Sequence, residues 1–484
     1  MKLLVLGIDA MDPRILYKNI DLFPNMKSLL ENGCHASYDA YAYGYGSNDN
    51  WVSLYTGLKP KQHGVINNVC LKTNKTPLLQ DFSDKIPFWE VLNENNIKVG
   101  MWKGLSTSPP KKILGYMVSG EYNFDFGMGK DFYDSINPVF IKEDEKIKKL
   151  IEGKLEEPLP PKRPEDYGYT WEDLFANNDL VDDILKDTDY YRGGFEYLIN
   201  ELDFYEKNII RVQKEFPVDV IFFYTAALDL IQHFQLYDEN KKIILESMKK
   251  IDEFIGNMIN ELKPQTVIVL SDHGASSFKE VLPSNDINVQ KEAFGFRDNS
   301  IWLKNGAIVT KARTGGFLSG IHDIKGTFIV SGEGIKKGCI RDMRTIDFYP
   351  TLLEIFDIKV PKGRQGYVLN IFEDKTIVNK DKLLLDKNIK RKKIAIIQNI
   401  EVSEFNRTIN EVFLDNRFSD ITIFCEKKYA NIFLENPRVN KVEIIEGNSI
   451  KFNLLSDYEE VYISYKNDAT NVLDYIRVYN DKLI

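Results

Sequence analysis

Three of the five histidines in this 484-residue chain stand beside an aspartate where an apolar run gives way to polar residues. Asp9 follows the run Leu3–Ile8. Asp229 and His233 follow Val218–Tyr224 as Asp-x-x-x-His, a spacing that puts both side chains on one face of a helical turn. Ser271-Asp272-His273-Gly274 follows Thr266–Leu270, and His322 precedes Thr327–Val330 within Gly320-Ile321-His322-Asp323-Ile324-Lys325-Gly326. Carboxylate and imidazole donors together suit zinc or manganese better than calcium or magnesium. Each position alone has a plainer reading, a helix N-cap in the case of Asp9. The four in this order point to a metal centre.

A nucleophile candidate lies in Gly44-Tyr45-Gly46-Ser47-Asn48-Asp49-Asn50-Trp51-Val52-Ser53-Leu54-Tyr55-Thr56-Gly57. Glycines and polar residues lead into a short helix, which sets Ser47 near its start. Backbone N–H groups and the helix dipole there favour an anion. A metal at that point would lower the hydroxyl's pKa, which a serine needs for attack at neutral pH. The alternative is that Ser47 or Asp49 simply caps the helix.

The elements that must position these residues are apolar strands and amphipathic helices in alternation. Besides the four runs above, Lys241–Leu262 carries Ile244, Met248, Ile251, Phe254, Ile255, Met258 and Ile259 at helical spacing. This pattern predicts an α/β fold, a mainly parallel sheet sandwiched by helices, with the site at the carboxyl ends of the strands. Residues 121–215 break the rhythm. Within them the charged stretch Lys142–Trp171 holds Pro158, Pro160, Pro161 and Pro164 and reads as an inserted cap. A Lys/Asp-rich stretch, Asp374–Lys393, reads as a linker whose basic end is a solvated tether. The rhythm then restarts with strands Ile394–Gln398, Ile421–Cys425 and Val442–Ile445 and helices Ser403–Leu414 and Tyr429–Glu435. Two domains are expected: 1–385, catalytic and carrying the cap, and 386–484, a small α/β unit.

Composition narrows the partners. With 43% hydrophobic and 28% charged residues the chain has ample material for a core. A net charge of −9 argues against nucleic acid or an anionic membrane as partner. The four cysteines are scattered without a CxxC pair, and the apolar start stops at Asp9, too early for a signal peptide. A cytoplasmic enzyme acting on a small molecule is the expectation.

The ordered motifs resemble the alkaline phosphatase superfamily, in its type I phosphodiesterase/nucleotide pyrophosphatase-like branch of phosphohydrolases. They are Gly7-Ile8-Asp9-Ala10-Met11-Asp12; Trp51-Val52-Ser53-Leu54-Tyr55-Thr56-Gly57 with Pro60 and His63-Gly64; Ser108-Pro109-Pro110 and Gly115–Gly120; Leu228-Asp229 with His233; Ser271–Gly274; His322 with Gly326 and Ser331-Gly332; and Asp347 with Tyr349–Leu353. They span roughly residues 1–370. The resemblance implies two divalent ions, Zn or Mn, about 4 Å apart. One would be held by Asp9, Ser47, Asp272 and His273, the other by Asp229, His233 and His322. It implies attack by Ser47, a phospho-enzyme, and Asn50 against a phosphate oxygen. Asn50 has an alternative reading as an ordinary helix residue. His63 is expected to brace the nucleophile helix and His35 to be structural.

The chain also departs from its relatives. Many have Thr as nucleophile with Pro two residues on, where Ser47 and Asp49 stand here. The sulfatase branch is set aside, because no Cys/Ser-x-Pro-x-Arg run surrounds Ser47. The expected substrate is a phosphodiester or pyrophosphate-linked small molecule, nucleotide- or nucleotide-sugar-like. Tyr41, Tyr43, Tyr45 and Tyr55 are candidates for an aromatic wall or else for packing. Phosphoryl transfer or mutase chemistry and phosphomonoester hydrolysis are the alternatives at the same site, and a non-catalytic scaffold is the third class. The last domain is similar to the first half of a heptosyltransferase-like glycosyltransferase, too short for both halves. It reads as a recognition module or a generic α/β appendage.

Overall fold

A computed structural model describes residues 1–40, 46–66, 68–118, 145–153, 155, 162–185, 192–238, 241–278, 300–302, 308–311, 317–340, 343–373, 392–398, 412, 419–427, 430, 439–445, 455, 457–467 and 472–479. The first unit is built on strands β1 (Leu3–Ile8), β2 (Gly33–Asp39), β3 (Val99–Trp102), β4 (Gly115–Val118), β5 (Val220–Thr225), β6 (Thr266–Leu270), β7 (Gly274–Ser277), β8 (Gly320–Asp323), β9 (Lys325–Gly332) and β10 (Gly338–Cys339). Eight of them form one sheet in the order β10-β2-β9-β6-β1-β5-β3-β4. All its pairings are parallel except those of β9, which runs antiparallel to both β6 and β2.

Burial on both faces explains why the strands read as continuous apolar runs rather than alternating ones. All six residues of β1 are buried. Leu4, Leu6 and Ile8 pack into one core and Leu3 and Val5 into another on the opposite face. The first core is closed by helices α4 (Arg192–Glu215), α5 (Ala227–Gln235) and α6 (Lys242–Leu262). The second is closed by helix α3 (Ser47–Thr56), through Trp51, Leu54 and Tyr55. Two further helices precede it, α1 (Pro13–Lys18) and α2 (Pro24–Asn32).

The expected mainly parallel sheet between helical layers is therefore present, with β1 and β6 at the expected bounds and α6 starting one residue later. Several differences are informative. The strand expected from Thr327 is the longer β9, which starts at Lys325, and His322 lies on β8, a separate strand that pairs antiparallel with β7. Strands β2, β3 and β4 went unread because β2 (Gly-Cys-His-Ala-Ser-Tyr-Asp) is mostly small and polar and the others are four residues long. The stretch read as a cap ends in α4, whose Leu198, Leu202, Tyr205, Ile209 and Val212 are buried in the main core. Residues 119–144, including the first part of that stretch, lie outside the described residues, as do 374–391 of the linker.

The second unit is a five-stranded sheet of β11 (Lys393–Gln398), β12 (Asp420–Cys425), β13 (Lys441–Ile444), β14 (Glu460–Asn467) and β15 (Val472–Tyr479), ordered β13-β12-β11-β14-β15. Its pairings are parallel until β15, which closes antiparallel on β14. The two helices expected at 403–414 and 429–435 fall almost wholly outside the described residues. No described helix is long and apolar enough to cross a membrane.

Candidate active site

The carboxyl ends of β1, β5 and β6 lie side by side, and each delivers its acid there. Asp9 ends β1, where its backbone N–H donates to the carbonyl of Thr225 at the end of β5 (2.9 Å). Ala10 takes a left-handed φ of +57°, turning the chain sharply after Asp9, and Gln232 Nε2 holds the Ala10 carbonyl at 2.9 Å. Asp229 and His233 stand one turn apart on α5, and Asp272 and His273 follow β6. His322 reaches the same place from β8, opposite Ala275.

The donor atoms converge. His273 Nε2 lies 3.3 Å from both Asp9 Oδ1 and Asp272 Oδ2. His322 Nε2 is 3.3 Å from Asp229 Oδ1 and 2.9 Å from His233 Nε2, which is 3.5 Å from Asp229 Oδ2. The rings of His273 and His322 stack with centroids 3.9 Å apart. Two groups form, Asp9 with Asp272 and His273, and Asp229 with His273 and His322, each with donor atoms within 4.8 Å of one another. His273 Nδ1 faces the Gly274 carbonyl (2.9 Å) and His233 Nδ1 the Gly320 carbonyl (3.0 Å). Those carbonyls accept an Nδ1–H, so each Nε2 turns a lone pair to the cluster.

Charge in this pocket is unbalanced. Burial, reinforced by Asp229, raises Asp9 to about 6, although Tyr224 and Trp51 donate to it. Burial and then the charges of Asp9 and Asp229 hold Asp272 well above the usual carboxylate range. Burial also opposes ionisation of Asp229, but His233 and His322 outweigh it and hold that group well below its ordinary value. Burial and His322 push His273 far down. Both oxygens of Asp272 and Oδ1 of Asp229 are buried without a hydrogen-bond partner. Such orphaned acceptors are expensive unless a cation meets them. Three carboxylates and three imidazoles with nitrogens aimed inward fit a pair of divalent metal ions.

Ser47 opens α3, and its Oγ lies 3.1 Å from His273 Nε2 and 3.5 Å from Asp9 Oδ1. The other oxygen of Asp9 is held by Trp51 Nε1 (3.2 Å) and the Tyr224 hydroxyl (2.6 Å). One helix thus carries both the hydroxyl and the indole that orients its neighbouring acid. The helix closes on Gly57, at φ +65°, where a Cβ would come within 2.9 Å of the Tyr349 ring.

Asp49 does not face the pocket. It is fully buried, and its Oδ1 accepts from the Asn68 backbone N–H at 2.8 Å. Asn68 in turn accepts at 3.0 Å from both the backbone N–H and the side-chain amide of Asn48, whose carbonyl oxygen takes the Ser106 hydroxyl (2.5 Å). Asn50 is fully buried, donates to the Gly46 carbonyl at 3.4 Å and leaves its Oδ1 without a partner. His63 accepts from the Val65 N–H at Nδ1 (3.1 Å), so its Nε2–H donates to Ser53 Oγ (2.9 Å), which donates to the Asp49 carbonyl (2.8 Å). It braces α3 from behind. His35 sits on β2 with its ring edge-on against Tyr17. Tyr55 is a core residue among Phe82, Trp89 and Phe222, while Tyr41, Tyr43 and Tyr45 lie outside the described residues.

Sequence reading missed Trp51, Tyr224 and Asn68 as site residues. Trp51 reads as part of the nucleophile segment and Tyr224 as the end of an apolar run, and their polar ends find Asp9 only through the packing of α3 and β5 against β1. Asn68 had one legible signal, an Asn-Asn pair suited to the left-handed turn it makes at φ +60°.

The family model described as type I phosphodiesterase / nucleotide pyrophosphatase matches residues 3–324. No curated protein sequence matches the chain. Among solved structures it is similar to human ectonucleotide pyrophosphatase / phosphodiesterase 5, with 14% identity, a TM-score of 0.43, and coverage of 76% of this chain and 100% of that one. The murine protein of the same name gives 14% identity and a TM-score of 0.42, covering 75% and 98%. An inactive variant of the murine protein in complex with AMP gives 15%, 0.42, and 75% and 97%. The family match spans every candidate ligand from Asp9 to His322, and the chain belongs to the type I phosphodiesterase / nucleotide pyrophosphatase family of metal-dependent phosphoric ester hydrolases.

Proposed function

We propose that the chain cleaves a phosphodiester or pyrophosphate bond of a small, nucleotide- or nucleotide-sugar-like molecule with Ser47 as nucleophile. The observation that carries this is Ser47 Oγ standing at a helix start, within 3.5 Å of both Asp9 and His273, beside three buried carboxylate oxygens with no partner. One ion would be held by Asp9, Asp272, His273 and Ser47, and the other by Asp229, His233 and His322; zinc or manganese suits these donors. Bound there, the ions would supply Lewis-acid charge for the phosphate oxygens and a lowered pKa for the attacking hydroxyl.

The chain's own groups do the rest. The positive end of the α3 dipole lies next to Ser47 and favours an anion there. Ser47 Oγ forms the new bond to phosphorus as the bond to the leaving oxygen breaks, and water later cleaves the Ser47–phosphorus bond and restores the hydroxyl. Trp51 and Tyr224 keep Oδ1 of Asp9 turned to the centre. Asn50, in the first turn of α3, is proposed to donate to a phosphate oxygen. The substrate is taken as a small molecule rather than nucleic acid or membrane, in keeping with the net charge of −9. Four free cysteines support a reducing, cytoplasmic setting.

Turnover of bis-(p-nitrophenyl) phosphate with Mn or Zn tests the reading. Ser47→Ala is expected to reduce it on the order of 10³-fold or more while metal content stays intact. Wild-type rates in that variant would move the nucleophile elsewhere. Turnover that appears only with an added alcohol acceptor would make the enzyme a transferase. A screen of nucleotide-sugars, dinucleotides and phosphomonoesters then assigns the substrate.

A further inference from the structure

Arg14 lies in the first turn of α1, half exposed, and nothing in the reaction described above uses it. Its guanidinium is nonetheless heavily engaged. Nε donates to Asp12 Oδ1 (3.0 Å) and Nη2 to Asp12 Oδ2 (2.6 Å). The same Nη2 reaches the Ala275 carbonyl (3.2 Å), Ser276 Oγ (2.8 Å) and Asp323 Oδ2 (3.2 Å). Asp12 is buried three residues after Asp9, and its Oδ2 also accepts the Ala275 N–H at 3.1 Å. Ser276 Oγ donates to Asp323 at 2.6 Å, closing the group.

Ala275 and Ser276 lie on β7, and Asp323 follows His322 on β8. In their antiparallel register Ala275 faces His322 and Gly274 faces Asp323. These two strands form a sheet of their own, outside the eight-stranded one. An isolated two-stranded ribbon is marginal and takes its position from what it is tied to. Asp9 and Asp272 are set by the main sheet, and His273 is anchored at the end of β6. His322 lies on the ribbon, which is also tied to α5, where the Ser319 N–H donates to the His233 carbonyl (2.8 Å), and runs on into β9 at Lys325. Arg14 and Asp12 join that ribbon to the end of β1.

We propose that Arg14 is a positioning residue that fixes the spacing between the two ligand sets, acting through the β7–β8 ribbon on His322. This rests on the two-metal reading above. Loss of the guanidinium lets the ribbon shift and opens the distance from His322 to Asp229, so the ion held by Asp229, His233 and His322 weakens while the other is spared. A lysine cannot substitute, because the planar fork serves Asp12 through two nitrogens at once while bonding the ribbon.

The test is Mn²⁺ binding by calorimetry to the full-length metal-free protein, with activity against Mn²⁺ concentration in parallel. Wild type is expected to take up two ions. Arg14→Ala and Arg14→Lys are expected to weaken one site by about 10–100-fold, leave the other within about threefold, and regain turnover at high Mn²⁺. Ser276→Ala and Asp323→Asn, which cut the ribbon side of the clamp, should weaken the same site. Two unchanged sites in the Arg14 variants overturn the proposal, and so does equal weakening of both sites, the mark of a general structural role. If Arg14→Ala does not fold, the Asp323→Asn and Ser276→Ala results decide it on the same criteria. Fewer than two ions on wild type removes the two-metal reading itself, and the proposal with it.

Discussion

Replacing Glu201 by alanine should be among the most destabilising changes outside the metal cluster. Glu201 lies within α4, fully buried, and holds the buried ammonium of Lys103 at the end of β3. It also accepts from the Tyr197 hydroxyl (3.1 Å) and from Thr225 Oγ1 (2.5 Å), at the end of β5. Burial pulls the Lys103 pKa down to about 7, with Asp9 pulling the other way. Removing one partner of a buried ion pair costs about 3–5 kcal/mol. Each hydroxyl stranded beside it adds about 1–3 kcal/mol if it finds no new acceptor. Since these groups share one site the terms do not add fully, and about 5 kcal/mol is expected for Glu201→Ala. Glu201→Gln keeps an acceptor and should lose about 3 kcal/mol. Against a total stability of about 5–15 kcal/mol either is large. The assay is urea unfolding followed by tryptophan fluorescence. All five tryptophans, at 51, 89, 102, 171 and 302, precede the second unit, so the signal belongs to the catalytic one. The double variant Lys103→Met with Glu201→Leu should recover most of the loss, because an apolar pair needs no compensation. A loss below about 1 kcal/mol for Glu201→Ala, or no recovery in the double variant, would refute the reasoning.

Three further outcomes are expected. His63 is buried neutral, its pKa pulled down to about 3 by burial; the unfolded state therefore binds the extra proton between about 6.5 and 3. That contribution to stability is present above pH 6.5 and lost as pH falls, so His63→Gln should reduce the acid slope of unfolding free energy by about 1.4 kcal/mol per pH unit in that window. An unchanged slope would mean that His63 is protonated in the fold. Gly7→Ala would set a Cβ 2.5 Å from Trp51 Cη2 and displace the indole that orients Asp9; about 1–3 kcal/mol of stability and a weaker metal site should be lost together, and normal metal affinity would show the indole tie to be dispensable. Ala10→Gly removes the Cβ strain at φ +57° and should gain about 0.5–1 kcal/mol, read as a higher Tm; a loss would show that the buried methyl matters more than the strain.

The candidate ligands were legible in the sequence because their chemistry is local. Asp229 and His233 share a helical turn, Asp272 and His273 are adjacent, and each follows an apolar run whose burial is written in its composition. Sheet order puts those strand ends together, and parallel β/α alternation makes that outcome nearly obligatory. What the tertiary structure alone decided is which faces meet. Asp49 reads as a carboxylate beside the nucleophile, yet it turns inward to the Asn68 backbone, because the rotation of α3 about its axis is set by Trp51 and Tyr55 filling the core. Tyr224 reads as strand packing, yet its hydroxyl sits 2.6 Å from Asp9, since β1 and β5 pair in register with Gly7 opposite Tyr224. Nothing in the sequence pattern marks Arg14, and only the closing of the β7–β8 ribbon over β1 brings it against Ser276 and Asp323, some 260 and 310 residues away. Residue types carry the chemistry of a site. The contacts that aim it join distant parts of the chain, and those depend on packing rather than on any local pattern.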